Sequence, residues 1–439
     1  MNSTSDIEPS TSKLRYAFHI FLGLLILPFL VLRRPEMIME FGRFLLESFG
    51  LSGRTLLTSS KHRHRIQFET VDSDPSLEQL EGARLRMSDL AHAQDWIAMG
   101  EQLEEWDRTN AACVANKRLI HPGLDETIDV LIAGRPGAHR CEPLDIARIP
   151  DGLIDDAMKH FKQDPNRYGL AALISRMLFS QCWDLRGQMT ADTISDNAWD
   201  RMSQKHETAM SVLDQAQVET RNSSLLSDER LSLLYFSSEA DRHIDDWFEA
   251  VVKADPGDSA ALMSMGNMML PRWFGDYEKM ETKARQATVW TSGEMGSAAY
   301  AILYNEALST EPVPLYFLDI ELYTEAVHDL VKYRGYSPVY LPELSQFLAS
   351  LSTYSYPYGM TDPEDRQIWD DNSQALRLLS LQIIEDYLPA IHPPSWINGE
   401  RGALNMISHA MGQELEDGLS LKVGPRGISS YKPVEQVAQ

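Results

Sequence analysis

Cysteine is scarce in this chain. Only Cys113, Cys141 and Cys182 occur, far apart and odd in number, which excludes a disulfide framework and a paired-cysteine zinc site. Buried, reduced thiols are the expectation, and these favour a body on the cytoplasmic side. Positive charge is also short: 40 Lys and Arg against 64 Asp and Glu leave a net charge of −24, which repels phosphate backbones and excludes nucleic acid as the expected partner. The chain has no Gly-rich phosphate loop, no nucleophile elbow and no His-Glu-x-x-His helix, so the enzyme classes most readable from sequence lack support and no cofactor is expected. Alternating β-branched runs are almost missing. The one strand candidate, Ile128 to Ile132, is interrupted by Asp129 and too short to build a sheet, so the expected fold class is all-α.

What the chain does have is one long apolar run. Tyr16 to Leu32 carries no formal charge and is bracketed by Lys13 and Arg15 before it and by Arg33 and Arg34 after it. As a helix it spans roughly 25 Å, close to the ~30 Å hydrocarbon core of a bilayer, and Leu14 with the snorkelling basic flanks closes the gap. No small-residue cleavage site follows Leu32, so residues 16–32 are expected to be an uncleaved transmembrane anchor behind a tail at 1–15. Arg33, Arg34 and Arg43, with Arg54, Lys61, Arg63 and Arg65 beyond, place the body in the cytoplasm. Lys13 and Arg15 leave the opposite, exported orientation open.

Residues 33–66 are expected to form a juxtamembrane amphipathic helix and a linker. Ile38, Phe41, Leu45 and Phe49 share one helical face, with Glu36, Glu40, Arg43 and Glu47 opposite. The run Lys61-His62-Arg63-His64-Arg65 is the solvated linker.

From Ser76 onward the apolar period is helical. Residues 67–150 are a helical hairpin region, its two helices joined near Ala93-Gln94-Asp95, followed by a Gly- and Pro-rich linker over 133–152. Residues 151–416 form the main helical domain, and 417–439 a C-terminal tail. Phe161-Lys162-Gln163-Asp164-Pro165 followed by Leu170-Ala171-Ala172-Leu173 recurs as Val252-Lys253-Ala254-Asp255-Pro256 followed by Ala260-Ala261-Leu262. In each, Pro stops one helix and small residues let the next pack closely, as in stacked helical hairpins. The spacing of the two sites is not a whole number of tetratricopeptide periods of about 34 residues, so the expected array is irregular and only tetratricopeptide-like.

Two local patterns go further. Trp183-Asp184-Leu185-Arg186-Gly187 followed by Trp199, and Leu270-Pro271-Arg272-Trp273-Phe274-Gly275-Asp276 leading into Met280 and Ala284-Arg285, resemble the bacterial domain-of-unknown-function family 4034. The resemblance covers about residues 150–310 and implies a tetratricopeptide-type helical protein. It implies no activity. Phe274 stands where the family's second motif has its first Gly.

Four candidate sites emerge. Trp183 and Arg186 share a helical face just before Gly187 and, with Trp273, are candidate binding residues whose spacing also suits the fixing of a helix crossing. Tyr333, Tyr336, Tyr340, Tyr354, Tyr356 and Tyr358, interleaved with Pro338, Pro342 and Pro357, are the candidate recognition surface, because Tyr offers large contact area at low entropy cost. Glu321, Glu325 and His328, with Asp329, contain the Glu-x-x-His spacing of di-iron bundles, though the chain has no second copy of that spacing. Glu239, His243 and Asp246 repeat the acid and His theme, with Arg242 intruding. The function these features favour is a membrane-anchored helical scaffold binding a protein or peptide through an inter-helix groove. The alternative is a metal- or carboxylate/His-dependent enzyme with its site near 321–329.

Overall fold

A computed structural model describes residues 62–133, 149–187, 193–357 and 359–432. The expected anchor at 16–32, the tail before it, nearly all of the 33–66 segment, Cys141 and Tyr358 lie outside the described residues, as does most of the linker expected at 133–152. Among the described residues no helix is long and apolar enough to cross a membrane.

The body is mostly helical. Its helices are α1 Pro75–Ala93, α2 Trp96–Thr109, α3 Ile120–Ala133, α4 Asp151–Gln163, α5 Tyr168–Arg186, α6 Asp196–Gln215, α7 Ser224–Ser232, α8 Ala240–Ala254 and α9 Ser259–Met268. There follow α10 Tyr277–Met295, α11 Ala298–Thr310, α12 Pro314–Phe317, α13 Ile320–Tyr333, α14 Tyr340–Leu351, α15 Pro363–Tyr387, α16 Gly399–Ala410 and α17 Gly412–Glu416.

Local chemistry sets many of the ends. Asp74, with Pro75 at the first helical position, caps α1 by accepting the Ser76 N–H, and Asp362 with Pro363 does the same for α15 through Glu364. Gln94 takes left-handed backbone and stops α1 just before Asp95 caps α2, which makes the tight joint expected at 93–95, and Asn110 stops α2 in the same way. Capping also crosses between helices: Asp107 of α2 accepts the hydroxyls of Ser223 and Ser224 and the N–H of Leu225 at the start of α7.

The two Lys-x-Asp-Pro segments form the same turn. Asp164 after α4 has φ −146° and ψ 89°; Asp255 after α8 has φ −144° and ψ 91°. Each side chain accepts an N–H two residues on, from Asn166 at 3.2 Å and from Gly257 at 3.0 Å. Each backbone carbonyl accepts the N–H three residues on, from Arg167 and Asp258. The aspartate thereby closes an Asx turn that the following proline rigidifies, and the chain reverses into α5 or α9.

Among the described residues two large hydrophobic cores result, beside a small cluster of Leu80, Cys113 and Ala115. The first gathers Met87, Trp96, Met99, Leu103, Phe161, Leu170 and Met177 from α1, α2, α4 and α5. The second gathers Phe248, Leu262, Tyr300, Leu330, Trp369, Ile383 and Leu404 from α8 to α16. Each such side chain contributes roughly 1.5–3 kcal/mol on leaving water. Met210 and Tyr235 pack against both cores and mark their boundary. Cys113 and Cys182 are buried free thiols, and burial pushes the Cys182 thiol up to about 12.

A strand candidate is resolved and one expectation is corrected. Ile128 to Ile132 is not extended: it forms the last turns of α3, with Leu124, Ile128 and Leu131 buried at helical spacing and the Thr127 hydroxyl bonded to the Gly123 carbonyl. The segment after 417 does not begin as a tail. Strand β2 Ser420–Gly424 pairs antiparallel with β3 Gly427–Tyr431 and parallel with β1 Ile66–Gln67, Ile66 opposite Leu421. The basic run before β1 is likewise held, by Arg63 on Glu400 at 2.5 Å and by Arg65 on the Leu415 carbonyl at 2.9 Å. Leu421 and Val423 face inward and Lys422 outward, an alternation too short to stand out in sequence. Gly427 fits at φ +83° where a Cβ would lie 2.4 Å from the carbonyl oxygens of Glu385 and Asp386.

Candidate functional site

The two motifs of the family resemblance meet in space. Trp183 ends α5, where the Gly187 N–H bonds to its carbonyl. Its indole lies in an aromatic layer with Phe179, Tyr235, Phe236 and Trp273, and the two Trp rings are 5.9 Å apart at 87°. Trp273 sits on the α9–α10 loop, 4.8 Å from Tyr235, with its N–H bonded to the Leu270 carbonyl. Phe274 tilts against Tyr235 and Trp273. Perpendicular rings at these distances are favourable edge-to-face contacts, so the layer bonds the loop to α5. Arg186 is partly buried, which pulls its pKa down.

The tyrosines do not make one surface. Tyr333 donates to the Gly257 carbonyl at 2.7 Å, and Tyr340 lies under the cations of Arg334 and Lys117. Tyr354 donates to the Leu308 carbonyl, and burial pushes its pKa up to about 12. Among the described residues of this set, only Tyr336 and Tyr356 are exposed. They sit near opposite ends of α15, Tyr336 against Tyr387 and Tyr356 against Trp369 with its hydroxyl on Asp370.

The acid and His groups diverge. Ser297 takes Glu325 and Asp329 together: its hydroxyl donates to Glu325 at 3.1 Å and its N–H to Asp329 at 2.9 Å. His328 turns instead to the Tyr387 hydroxyl, 2.9 Å away, and burial pulls its pKa down. Glu321 faces solvent. His243 stacks on Trp247 and lies 3.6 Å from Glu239. Among the described residues no group of three His, Cys, Asp or Glu side chains is arranged to hold a metal ion, which corrects the tentative metal site at Glu321, Glu325 and His328.

A charged junction between the cores is the feature that sequence reasoning missed. Arg118 makes a two-pronged bond to Asp255 at 2.5 and 2.6 Å. His121, in the first turn of α3, lies 2.6 Å from Asp258, whose other oxygen caps α9. Arg176 of α5 binds Glu229 of α7 at 2.6 Å and approaches Asp228 at 3.6 Å. Arg334 completes the strap on the Ala115 carbonyl and the Ser259 hydroxyl.

Burial opposes charge on His121, but the carboxylate of Asp258 outweighs it and raises the imidazole to about 9. Burial also lifts Glu229, to about 7, against the pull of Arg176. The guanidinium keeps its proton throughout, so Glu229 is the member of that pair that titrates. Asp255 of the Asp-Pro turn was visible in sequence; Asp258 and the partners of both, in α3 and the loop before it, carried no local signal.

A shallow groove of about 380 Å³ runs between α4 and α6, lined by Met158, Gln204, Thr208, Ser211 and Gln215. No protein-family model, no curated protein and no solved structure matches this chain.

Proposed function

We propose that the chain is a membrane-anchored, tetratricopeptide-like helical scaffold that binds a protein or peptide partner. The observation that supports this most is the repeated turn: Asp164 and Asp255 close helix-Asp-Pro-helix units of equal geometry, the recurring unit from which stacked helical hairpins are built. Residues 16–32 are the anchor, with the body in the cytoplasm. The groove between α4 and α6, which combines the apolar Met158 and Val212 with exposed amides and hydroxyls and the carboxylate of Glu207, is the surface offered to the partner.

Membrane fractionation of the full chain beside a deletion of 16–32 tests the reading. The intact chain is expected in the pellet after alkaline extraction and the deletion in the supernatant, with both cross-linking to the same partner. A carbonate-soluble full chain, or an intact chain that engages no protein, contradicts it.

A further inference from the structure

Behind the aromatic layer lies a set of buried polar atoms that the fold leaves without partners. Glu306 on α11 is 3% exposed, and its Oε1 has no hydrogen-bond partner among the described residues. Asn267 on α9, 4% exposed, donates its amide to the Tyr235 hydroxyl at 2.9 Å and leaves Oδ1 without a donor. Thr310, one turn beyond Glu306 on the same face, is 6% exposed and its hydroxyl is unmatched. Gly266 brings these groups together: a Cβ there would lie 2.3 Å from the Leu303 carbonyl oxygen and 3.2 Å from the Glu306 Cβ, so the two helices touch backbone to backbone beside Asn267.

Beside these groups stand Trp273 and Tyr235, packed at 4.8 Å, and Arg272, an exposed cation whose charge acts on Glu306. The other titratable neighbours are Tyr277 and Glu311, which bond to each other at 2.6 Å.

An unmatched buried polar atom costs about 1–3 kcal/mol, and three on two helices that touch at Gly266 favour a ligand that brings donors. A carboxylate, an amide oxygen and a hydroxyl all accept, and the wall beside them is aromatic. The complement is a flat cation with several N–H groups. We propose that Glu306, Asn267 and Thr310, walled by Trp273 and Tyr235, form a binding site for a guanidinium group, supplied either by a free guanidino compound or by an arginine side chain of a peptide. Bidentate pairing with Glu306 supplies the charge-assisted contact, and stacking on Trp273 supplies the flat one. Arg272 is a like charge at the mouth and opposes entry.

Burial raises Glu306 to about 8, with Arg272 acting against it. Binding needs the ionised acid, so affinity rises with pH through that value, and below it each bound cation releases one proton to solvent.

The test is calorimetry on the full chain in detergent with methylguanidinium and with a capped arginine peptide, at about pH 6 and pH 9. One-to-one binding of either probe, at least about tenfold tighter at the higher pH, supports the site. Glu306→Gln, which keeps the shape, is expected to weaken binding by about tenfold or more, and Arg272→Gln to tighten it. Thr310→Val gives an independent loss if the Glu306 variant fails to fold. Binding of the small probe alone assigns the site to a metabolite, and binding of the peptide alone assigns it to a partner. No binding by either probe to wild type and to Arg272→Gln, with only an ordered water on Glu306 in a crystal structure, overturns the proposal. So does unchanged binding in folded Glu306→Gln. Neither result bears on membrane anchoring or on the groove between α4 and α6.

Discussion

Trp183 and Trp273 meet edge to face, 5.9 Å between centroids, and join the end of α5 to the loop after α9. Trp183 packs against the first core, while Phe274, beside Trp273, packs against the second. Truncating either Trp to Ala is expected to lower stability by about 2–4 kcal/mol. A double-mutant cycle by urea denaturation is expected to give a coupling of about 0.5–1.5 kcal/mol; additive losses would mean that the two rings stabilise the body separately.

Arg118 and Asp255 fasten the cores from the polar side. Arg118→Ala leaves a carboxylate that is 3% exposed without its cation, at an expected cost of about 3–5 kcal/mol. Pairing Arg118→Met with Asp255→Asn is expected to restore much of that loss, because no charge is then stranded. If the single variant unfolds like wild type, the junction is not what ties the cores together.

The junction also sets a pH response. His121 holds its proton more tightly folded, near 9 against an ordinary 6.5, so its contribution is complete below about 6.5 and is lost as pH rises through about 9. Glu229 acts in the same direction: its raised pKa means that ionisation on going from acid through about 7 weakens the folded state. Stability is therefore expected to fall between about pH 4.5 and 9, through Glu229 between about 4.5 and 7 and through His121 between about 6.5 and 9. His121→Gln should flatten the upper part of that fall and remove about 2 kcal/mol at pH 6. A flat wild-type profile across this window contradicts the pairing with Asp258.

At the C-terminal hairpin, Gly427→Val is expected to cost about 2–4 kcal/mol, since it adds a side chain at positive φ against two carbonyl oxygens. Hydrogen exchange at Ile66 and Gln67 should quicken in the same variant, because among the described residues β1 pairs with β2 alone. Unchanged protection there would mean that β1 is held by the Arg63 and Arg65 contacts alone.

What could be read beforehand was local. The joint near Gln94 and the two Lys-x-Asp-Pro turns are each written within a few residues, and the helices around them follow. α3 was hidden because its β-branched Ile128 and Val130 flank Asp129 in a pattern that also suits a strand. β1 was hidden because a two-residue strand has no period of its own, and its partner lies at the other end of the chain. The tyrosine cluster read as one surface because sequence gives proximity along the chain, whereas Tyr333, Tyr340 and Tyr354 turn inward to carbonyls and cations supplied by other helices. Arg118, His121 and Arg176 were silent for the same reason: a buried charge declares itself only through a partner that tertiary packing brings to it.

The most direct test of the scaffold reading places a benzophenone side chain at position 208, on the groove between α4 and α6, in the full chain in native membranes. Position 289, where Val289 is 73% exposed on α10, serves as the control. The account predicts a carbonate-resistant membrane protein that gives one discrete cross-linked partner from position 208 and none from position 289. A carbonate-soluble protein, or the same products from both positions, contradicts it.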